Sequence, residues 1–545
     1  FDLVLFGAFT RLTDSGLGCP DWPGCYGHSN PHAAMEPIRA AETALPSGPV
    51  TLAKAWIEMI HRYFAMAVGV LIISLMVLAW VRRRELKQSP WYATGVFVLV
   101  CAAHLLVDNY ESTLLVRAVA GMAGAGLSSL GFLYIIQAFP AAHRLKGLII
   151  GIGLASFAVP ISRLVMPTLL DLDGWRGFYI FELGFALVAW AAVQVLKLPP
   201  SERLKVFDRL DFVTFALFAP GVALLTAVLG LGRIVWWTEA AWIGWALVGS
   251  IVLLTAALTV EHNRTNPLIN TRWLTGADML RLFGAILLIR MVLSEQTSGA
   301  VGFLTVVGLG PDQLHGLFVV ILLAMIAGTA VSAFTLNMEK LNKPIAIALA
   351  LIAVGAWIDS HSTVLTRPAQ LYFSQALIAF ASAMFIGPAL MIGISRVIQQ
   401  GKQNLISFIV MFSVLQNVGG LAGGALTGTL QIVREKYHSN QLAADIVASD
   451  PQVTQRLAQL SGAYSHTITD PALLRAEGVA LLSRQVTQQA NVLAYDDVFR
   501  VIAVLAALGC AWVTVTHLRP RWRARAEARR TARTPDASVV SAAVD

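Results

Sequence analysis

Apolar runs of membrane-crossing length recur along nearly the whole chain, separated by short polar joints that are alternately basic and close to neutral. A helix needs about 20 apolar residues to cross the hydrocarbon, and about fourteen windows of this kind can be read by hydropathy. They lie near residues 1–10, 56–81, 91–107, 113–138, 147–169, 175–198, 212–231, 240–260, 280–301, 317–336, 345–358, 370–392, 405–432 and 498–516. The pattern predicts an all-α integral membrane protein. Its first window is too short to span before Arg11 and reads as a clipped helix; with no basic lead and no small-residue cleavage site, it does not read as a signal peptide.

The basic joints fix an expected orientation, because short cytoplasmic loops carry the excess of Lys and Arg. "RRRELK" (82–87), "HRLKG" (143–147), "SERLKVFDR" (201–209), "EKLNK" (339–343), "RVIQQGK" (396–402) and the tail "RPRWRARAEARR" (519–530) all fall on one side if the crossings number fourteen. Both termini are then cytoplasmic, in the inner membrane of a bacterium. Composition agrees: 56% of residues are apolar and 13% charged, outside the balance of soluble domains. The net charge of +8 is largely this asymmetry. It reads as a topology anchor on anionic lipid rather than a nucleic-acid surface, since no basic soluble domain is there to carry one.

Residues 433–495 form the one joint long enough for structure outside the membrane, on the expected periplasmic side. Leu, Val and Ala recur there at intervals of three and four, which predicts one or two amphipathic helices. These serve either as a cap on the bilayer surface or as a docking surface.

Candidate chemistry begins at "RLTDSGLGCPDWPGCYG" (11–27), where Cys19 and Cys25 stand six residues apart on the side opposite the basic loops. Thiols there meet an oxidising compartment, with which a disulfide is compatible. So small a loop gains about 2–3 kcal/mol from closure, leaving a plain staple and a redox role both open. Cys101 and Cys510 sit within apolar helices as small hydrophobes. In "WIEMIHR" (56–62), Glu58 and His61 are three apart on one helical face beside Arg62. This is either an ionisable functional pair at a helix mouth or an interfacial anchor.

These two stretches together closely resemble the start of bacterial haem A synthase, whose first outer loop has a cysteine pair and whose second helix has a Glu-x-x-His-Arg motif. The resemblance implies a catalytic role for Glu58, haem ligation by His61 and a disulfide between Cys19 and Cys25. It covers residues 1–94, two helices of the eight such an enzyme has. Later histidines such as His104 and His315 lie in surroundings of a different pattern.

From about residue 95 the chain resembles another family. "LLVRAVAGMAGAGLSSLGFLYI" (114–135) sets Arg117 four residues before Gly121 in a run of small residues suited to close helix approach. This is similar to the RxxxG motif on the fourth helix of major facilitator transporters, where the arginine is thought to assist proton movement; the other reading is an arginine tying helices through carbonyl groups. "GWRGFYIFELGFAL" (174–187), "DRLDFVTFAL" (208–217), "VEHNRTNPLINTRWL" (260–274) and "QANVLAYDDVFRVIAVLAAL" (489–508) extend the likeness to the fourteen-helix, EmrB-like drug:proton antiporters. Two departures stand out. "RRRELKQSPW" replaces the usual gate motif between helices two and three, and in "GLASFAVPISRLV" (153–165) Pro160 is kept while Val159, Arg163 and Leu164 occupy positions where glycine is usual. Glu182, Arg290 and Glu295 complete the candidate coupling residues, since burial makes a carboxyl group hold its proton more readily. Interhelical ion pairing is the alternative for each.

The expected architecture is a haem-A-synthase-like helix pair (1–94) standing for the first two transporter helices, major facilitator helices 3–13 (95–432), an outer loop (433–495), a last crossing (496–517) and a basic cytoplasmic tail (518–545). The implied activity is proton-coupled efflux of drugs or other amphipathic small molecules, needing no cofactor or metal. A periplasmic membrane-fusion adaptor and an outer-membrane channel are the implied partners. The alternatives are a haem-dependent oxidoreductase at the head, with haem as cofactor, and a chimeric chain with neither activity intact.

Overall fold

The computed structural model describes residues 19, 25–28, 30–44, 50–60, 91–106, 110–140, 143–195, 208–338 and 340–531. Among these the fold is helical throughout, the one β-contact being an isolated bridge between Cys25 and His28. The helices, in order, are α1 (Met35–Ala44), α2 (Trp91–Ala103), α3 (Tyr110–Ala138), α4 (Arg144–Ser156), α5 (Ala158–Val195), α6 (Arg209–Leu231), α7 (Ala241–Asn263), the single turn α8 (Thr271–Leu274), α9 (Ala277–Val292), a π turn (Glu295–Ala300) leading into α10 (Val301–Val306), α11 (His315–Phe334), α12 (Asn342–Asp359), α13 (Tyr372–Gln400), α14 (Leu405–Ala444), α15 (Pro451–Gly462) and α16 (Pro471–Thr531). Residues 52–60 are also helical.

Nine helices among the described residues are long and apolar enough to cross a membrane, and they coincide with nine of the fourteen windows. Window 1–10 and most of 56–81 lie outside the described residues. Near 91–107 the helix α2 has 13 residues before a 3-10 turn, and window 280–301 is divided by the π turn into shorter pieces.

The chain divides into two units, residues Phe1–Tyr134 with Leu169–Arg203, and Ile135–Thr168 with Leu204–Asp545. In the second unit α11 packs on α13, α12 on α13 and α16, α14 on α9 and α16, and α6 on α7. The apolar run of α13 is 72% buried while those of α6 and α7 are 17% buried, so α13 is central and the α6–α7 pair is peripheral. The pair turns Phe212, Phe215, Trp245 and Val252 outward, an apolar surface suited to lipid. An edge-to-face cluster of Phe303, Tyr495 and Phe499 ties α10 to α16.

The segment 433–495 carries the expected amphipathic helices. α14 runs on to Ala444, and α15 packs against the first part of α16, with Arg456 donating to Gln485 Oε1 at 3.1 Å. α16 then passes without interruption through Asp496 to Thr531.

Candidate functional site: a buried carboxyl pair beside a cationic cavity

The π turn after α9 decides where Glu295 points. An extra residue in the turn rotates the side chains that follow relative to α9, and Ser294 secures the junction by contacting Met291 O at 2.6 Å and Thr427 Oγ1 at 2.7 Å. Glu295 is fully buried, as are Asp359 at the end of α12 and Gln375 near the start of α13. The Gln375 Nε2 group donates to Glu295 Oε1 at 3.0 Å, to Glu295 Oε2 at 3.1 Å and to Asp359 Oδ2 at 2.7 Å. Gln375 Nε2 thus bridges the two buried carboxyl groups, while Asp359 Oδ1 has no hydrogen-bond partner among the described residues. Two carboxylates buried on one neutral donor are costly unless one of them carries a proton, so this arrangement is suited to hold a proton.

The next residue, Gln296, connects the pair to a cavity of about 260 Å³. Its Nε2 donates to Gln375 O at 3.1 Å and Gln375 Oε1 at 3.3 Å, and its side chain lines the cavity with Pro160, Arg163, Arg290, Phe318 and Met325. Arg290 Nε donates to Gln416 O at 2.9 Å, and the Arg163 guanidinium stands 6.0 Å from the centre of the Phe318 ring. Glycine allows α14 to come this close to α9. A Cβ at Gly419 would lie 2.7 Å from Arg290 Cβ, and one at Gly423 would lie 2.5 Å from Met291 O. Gly153, in the stretch that departs from the antiporter pattern, likewise fits directly against Thr329.

One end of this unit is held by a charged knot. The Arg264 guanidinium reaches Asp211 Oδ1 at 2.8 Å, Glu261 Oε1 at 2.7 Å and Asp208 Oδ2 at 3.4 Å. Glu261 also accepts from Thr214 Oγ1 at 2.5 Å and Ile269 N at 2.8 Å. Asp208 caps α6 in a capping box with Asp211, and Asn270 crosses to Ser407 and Asn404 beside α14. The motifs at 208–217 and 260–274 are thus two halves of one clamp.

In the first unit Arg117 lies 5.5 Å from the centre of the Tyr179 ring, which also stacks on His104 at 5.0 Å. His104 Nδ1 is 3.8 Å from Glu182 Oε2. Two of the residues singled out in the sequence, Arg117 and Glu182, therefore share one aromatic cluster. Among the described residues nothing lies within 4 Å of a Cβ placed at Gly121.

At the head, Cys19 and Cys25 form a disulfide. Cys19 N donates to the buried Glu58 carboxylate at 2.8 Å, and the two cysteines pack with Ala34, Ile38, Ala55 and Met59. His61 lies outside the described residues.

Asp359, Gln375 and Gln296 are the site residues that sequence reasoning missed. Asp359 closes an apolar window and looked like its boundary, and a glutamine among apolar residues carries no charge to mark it. The signal available was a polar residue inside each of two windows, Glu295 and Gln375, which pair on the fold.

Residues 1–106 match the family of cytochrome oxidase assembly proteins, COX15-CtaA. The heme A synthase of Shewanella oneidensis is 46% identical over 90 residues, 16% of this chain and 27% of that enzyme. The chain thus spans about a quarter of the length of that relative. An uncharacterized MFS-type transporter of Bacillus subtilis, YhcA, is 22% identical over 399 residues, 70% of this chain and 71% of that protein. Among solved structures, a bacterial homolog of the human lysosomal transporter Spinster, inward-facing and unoccupied, aligns with 93% of this chain and 95% of its own at 14% identity and a TM-score of 0.39, too low to carry an argument.

The chain is a multi-pass membrane protein, similar at its head to haem A synthase and over most of its length to a major-facilitator-type transporter. Neither likeness singles out the EmrB-like branch. The buried histidine of the first unit, His104, stacks on Tyr179 and stands 3.8 Å from Glu182, with neither ring nitrogen hydrogen-bonded among the described residues, and no cluster of three or more His, Cys, Asp or Glu side chains that could hold a metal ion occurs among the described residues.

Proposed function

We propose that this chain is a proton-coupled transporter of amphipathic small molecules, exporting them across a bacterial inner membrane by proton exchange. The observation that carries the reading is the hydrogen-bonded path from the Arg163–Arg290 cavity through Gln296 and Gln375 to the Glu295–Asp359 pair. The pair supplies a site able to hold a proton away from water, and the cavity supplies a substrate site whose occupancy is felt two hydrogen bonds away, through Gln296 and Gln375. Coupling needs such a differential contact between the two sites. In this reading both termini face the cytoplasm, as the basic joints imply. The helical segment around α15 stands on the opposite side, where a membrane-fusion adaptor leading to an outer-membrane channel would dock.

The test is transport by the purified full chain in liposomes under an imposed pH gradient, with a pH dye trapped inside. Addition of an amphipathic probe, anionic 1-naphthoate or cationic tetraphenylphosphonium, is expected to start a proton flux absent from protein-free liposomes. No probe-dependent flux with either sign of charge would overturn the reading. A second reading, a haem-linked oxidoreductase at residues 1–94, is favoured by the disulfide and by the Cys19–Glu58 contact. A haem absorption band in the purified chain, lost on His61→Ala, would support it.

A further inference from the structure

We propose that the Arg163–Arg290 cavity selects amphipathic organic anions: a carboxylate or comparable acid group binds the two guanidinium groups while an apolar or aromatic body lies against Phe318, Ile321 and Met325. This deepens the transporter reading and rests on it for the statement that the bound molecule is carried across.

The charge balance of the cavity is one-sided. Arg163 and Arg290 both line it, and among the described residues no Asp or Glu does. Among the described residues neither arginine has a carboxylate in ion-pair contact, although the same unit pairs Arg264 with Asp211 and Glu261, Arg396 with Asp278, and Arg434 with Asp497. Guanidinium stays charged at any accessible pH; the half-buried Arg290 is costly to hold between membrane helices without a counter-charge, while Arg163 stands exposed where it lines the cavity. Such a pair of cations is accounted for when a ligand brings the missing negative charge.

The remaining wall completes the recognition. Thr297 adds a hydroxyl, Ser156 and Ser382 have hydroxyl protons donated to Ile152 O and Ala379 O, and Leu293, Ile321 and Met325 make an apolar side. The planar fork of Arg matches a carboxylate through parallel N–H···O bonds. Arg290 is held in place by its Nε bond to Gln416 O and by the close floor at Gly420, where a Cβ would stand 3.1 Å from Nη2. Arg163, resting over Phe318, offers a charged group directly above an aromatic surface. An organic cation entering the same space would meet two like charges and no carboxylate.

Equilibrium binding to the purified full chain in detergent separates these cases, using two probes of nearly equal shape and opposite charge, 1-naphthoate and 1-naphthylmethylammonium. The expected result is naphthoate binding at least about tenfold tighter than the ammonium. Arg163→Gln should weaken naphthoate by about tenfold or more, and Arg163→Glu should reverse the preference. Among the described residues Arg163 makes no hydrogen bond, so its variants keep the test open if Arg290→Gln disturbs the α9–α14 contact. Equal or tighter binding of the ammonium, naphthoate binding unchanged in both Arg163→Gln and Arg290→Gln, or no binding of either probe would overturn the proposal. Naphthoate binding without naphthoate-dependent flux in liposomes would leave the anion site standing and sink the transporter reading. Flux driven by a cationic probe, with no naphthoate binding, would do the reverse.

Discussion

Gln296 donates through Nε2 to both oxygens of Gln375, at 3.1 Å to the backbone carbonyl and 3.3 Å to Oε1. The contact fixes which face of the Gln375 amide points at the carboxyl groups. With Oε1 occupied by Gln296, the Nε2 hydrogens are left for Glu295 and Asp359. A side chain lining the cavity thereby orients the one donor that both carboxyl groups share.

Removing that link should separate binding from coupling. Gln296→Leu is expected to keep naphthoate affinity within about threefold of the parent, because it removes no charge from the cavity, while lowering probe-driven proton flux by about tenfold or more. Binding titration and liposome flux on the same preparation check it. Equal loss of both would make Gln296 a contact for the substrate rather than a link.

The clamp at the ends of α6 and α7 is a stability element. Glu261 is fully buried and holds Arg264, Thr214 and the backbone N–H of Ile269 together. Glu261→Ala leaves these donors without their acceptor. It should destabilise the fold by about 1–3 kcal/mol, the cost of stranding buried polar groups near water. A thermal-shift measurement in detergent should show a lower Tm with naphthoate affinity retained. An unchanged Tm would mean that water replaces the carboxylate without cost.

Glycines of similar appearance in the sequence should behave differently. Gly423→Val forces a side chain against Met291 O and Ser294 Cβ, at 2.5 and 2.9 Å from the Cβ position, and overpacking of this kind costs about 1–3 kcal/mol. Gly121→Ala meets nothing within 4 Å among the described residues and should leave stability within about 0.5 kcal/mol. Parallel melting curves test the pair; a collapse of the Gly121→Ala protein would show that α3 is closely packed in a state with other neighbours.

Hydropathy made the helices legible because apolar length is what a bilayer demands. Nine of the windows read in the sequence reappear as helices fit to span. Candidate residues stood out in the sequence where charge interrupts an apolar run, as at Arg117, Glu182, Arg290 and Glu295. Chemistry was not legible where function depends on which helices meet. Arg163 stood in the sequence as a departure from a glycine-rich packing motif; in the fold it shares a cavity with Arg290, from a helix more than a hundred residues away. Asp359 became meaningful when the π turn aimed Glu295 at it, and a π turn has no hydropathy signature. The disulfide and the clamp occupy the middle ground. Their residues were visible as motifs, and the partners of Arg264 came from the tertiary contact.

The central claim is that the Glu295–Asp359 pair carries the coupled proton. It is tested most directly by comparing the parent chain with Glu295→Gln and Asp359→Asn in two liposome assays on the same probe, uphill transport driven by a pH gradient and counterflow exchange without a gradient. The account predicts that both variants lose uphill transport by about tenfold or more while keeping counterflow near the parent rate. Uphill transport by either variant at the parent rate would contradict it.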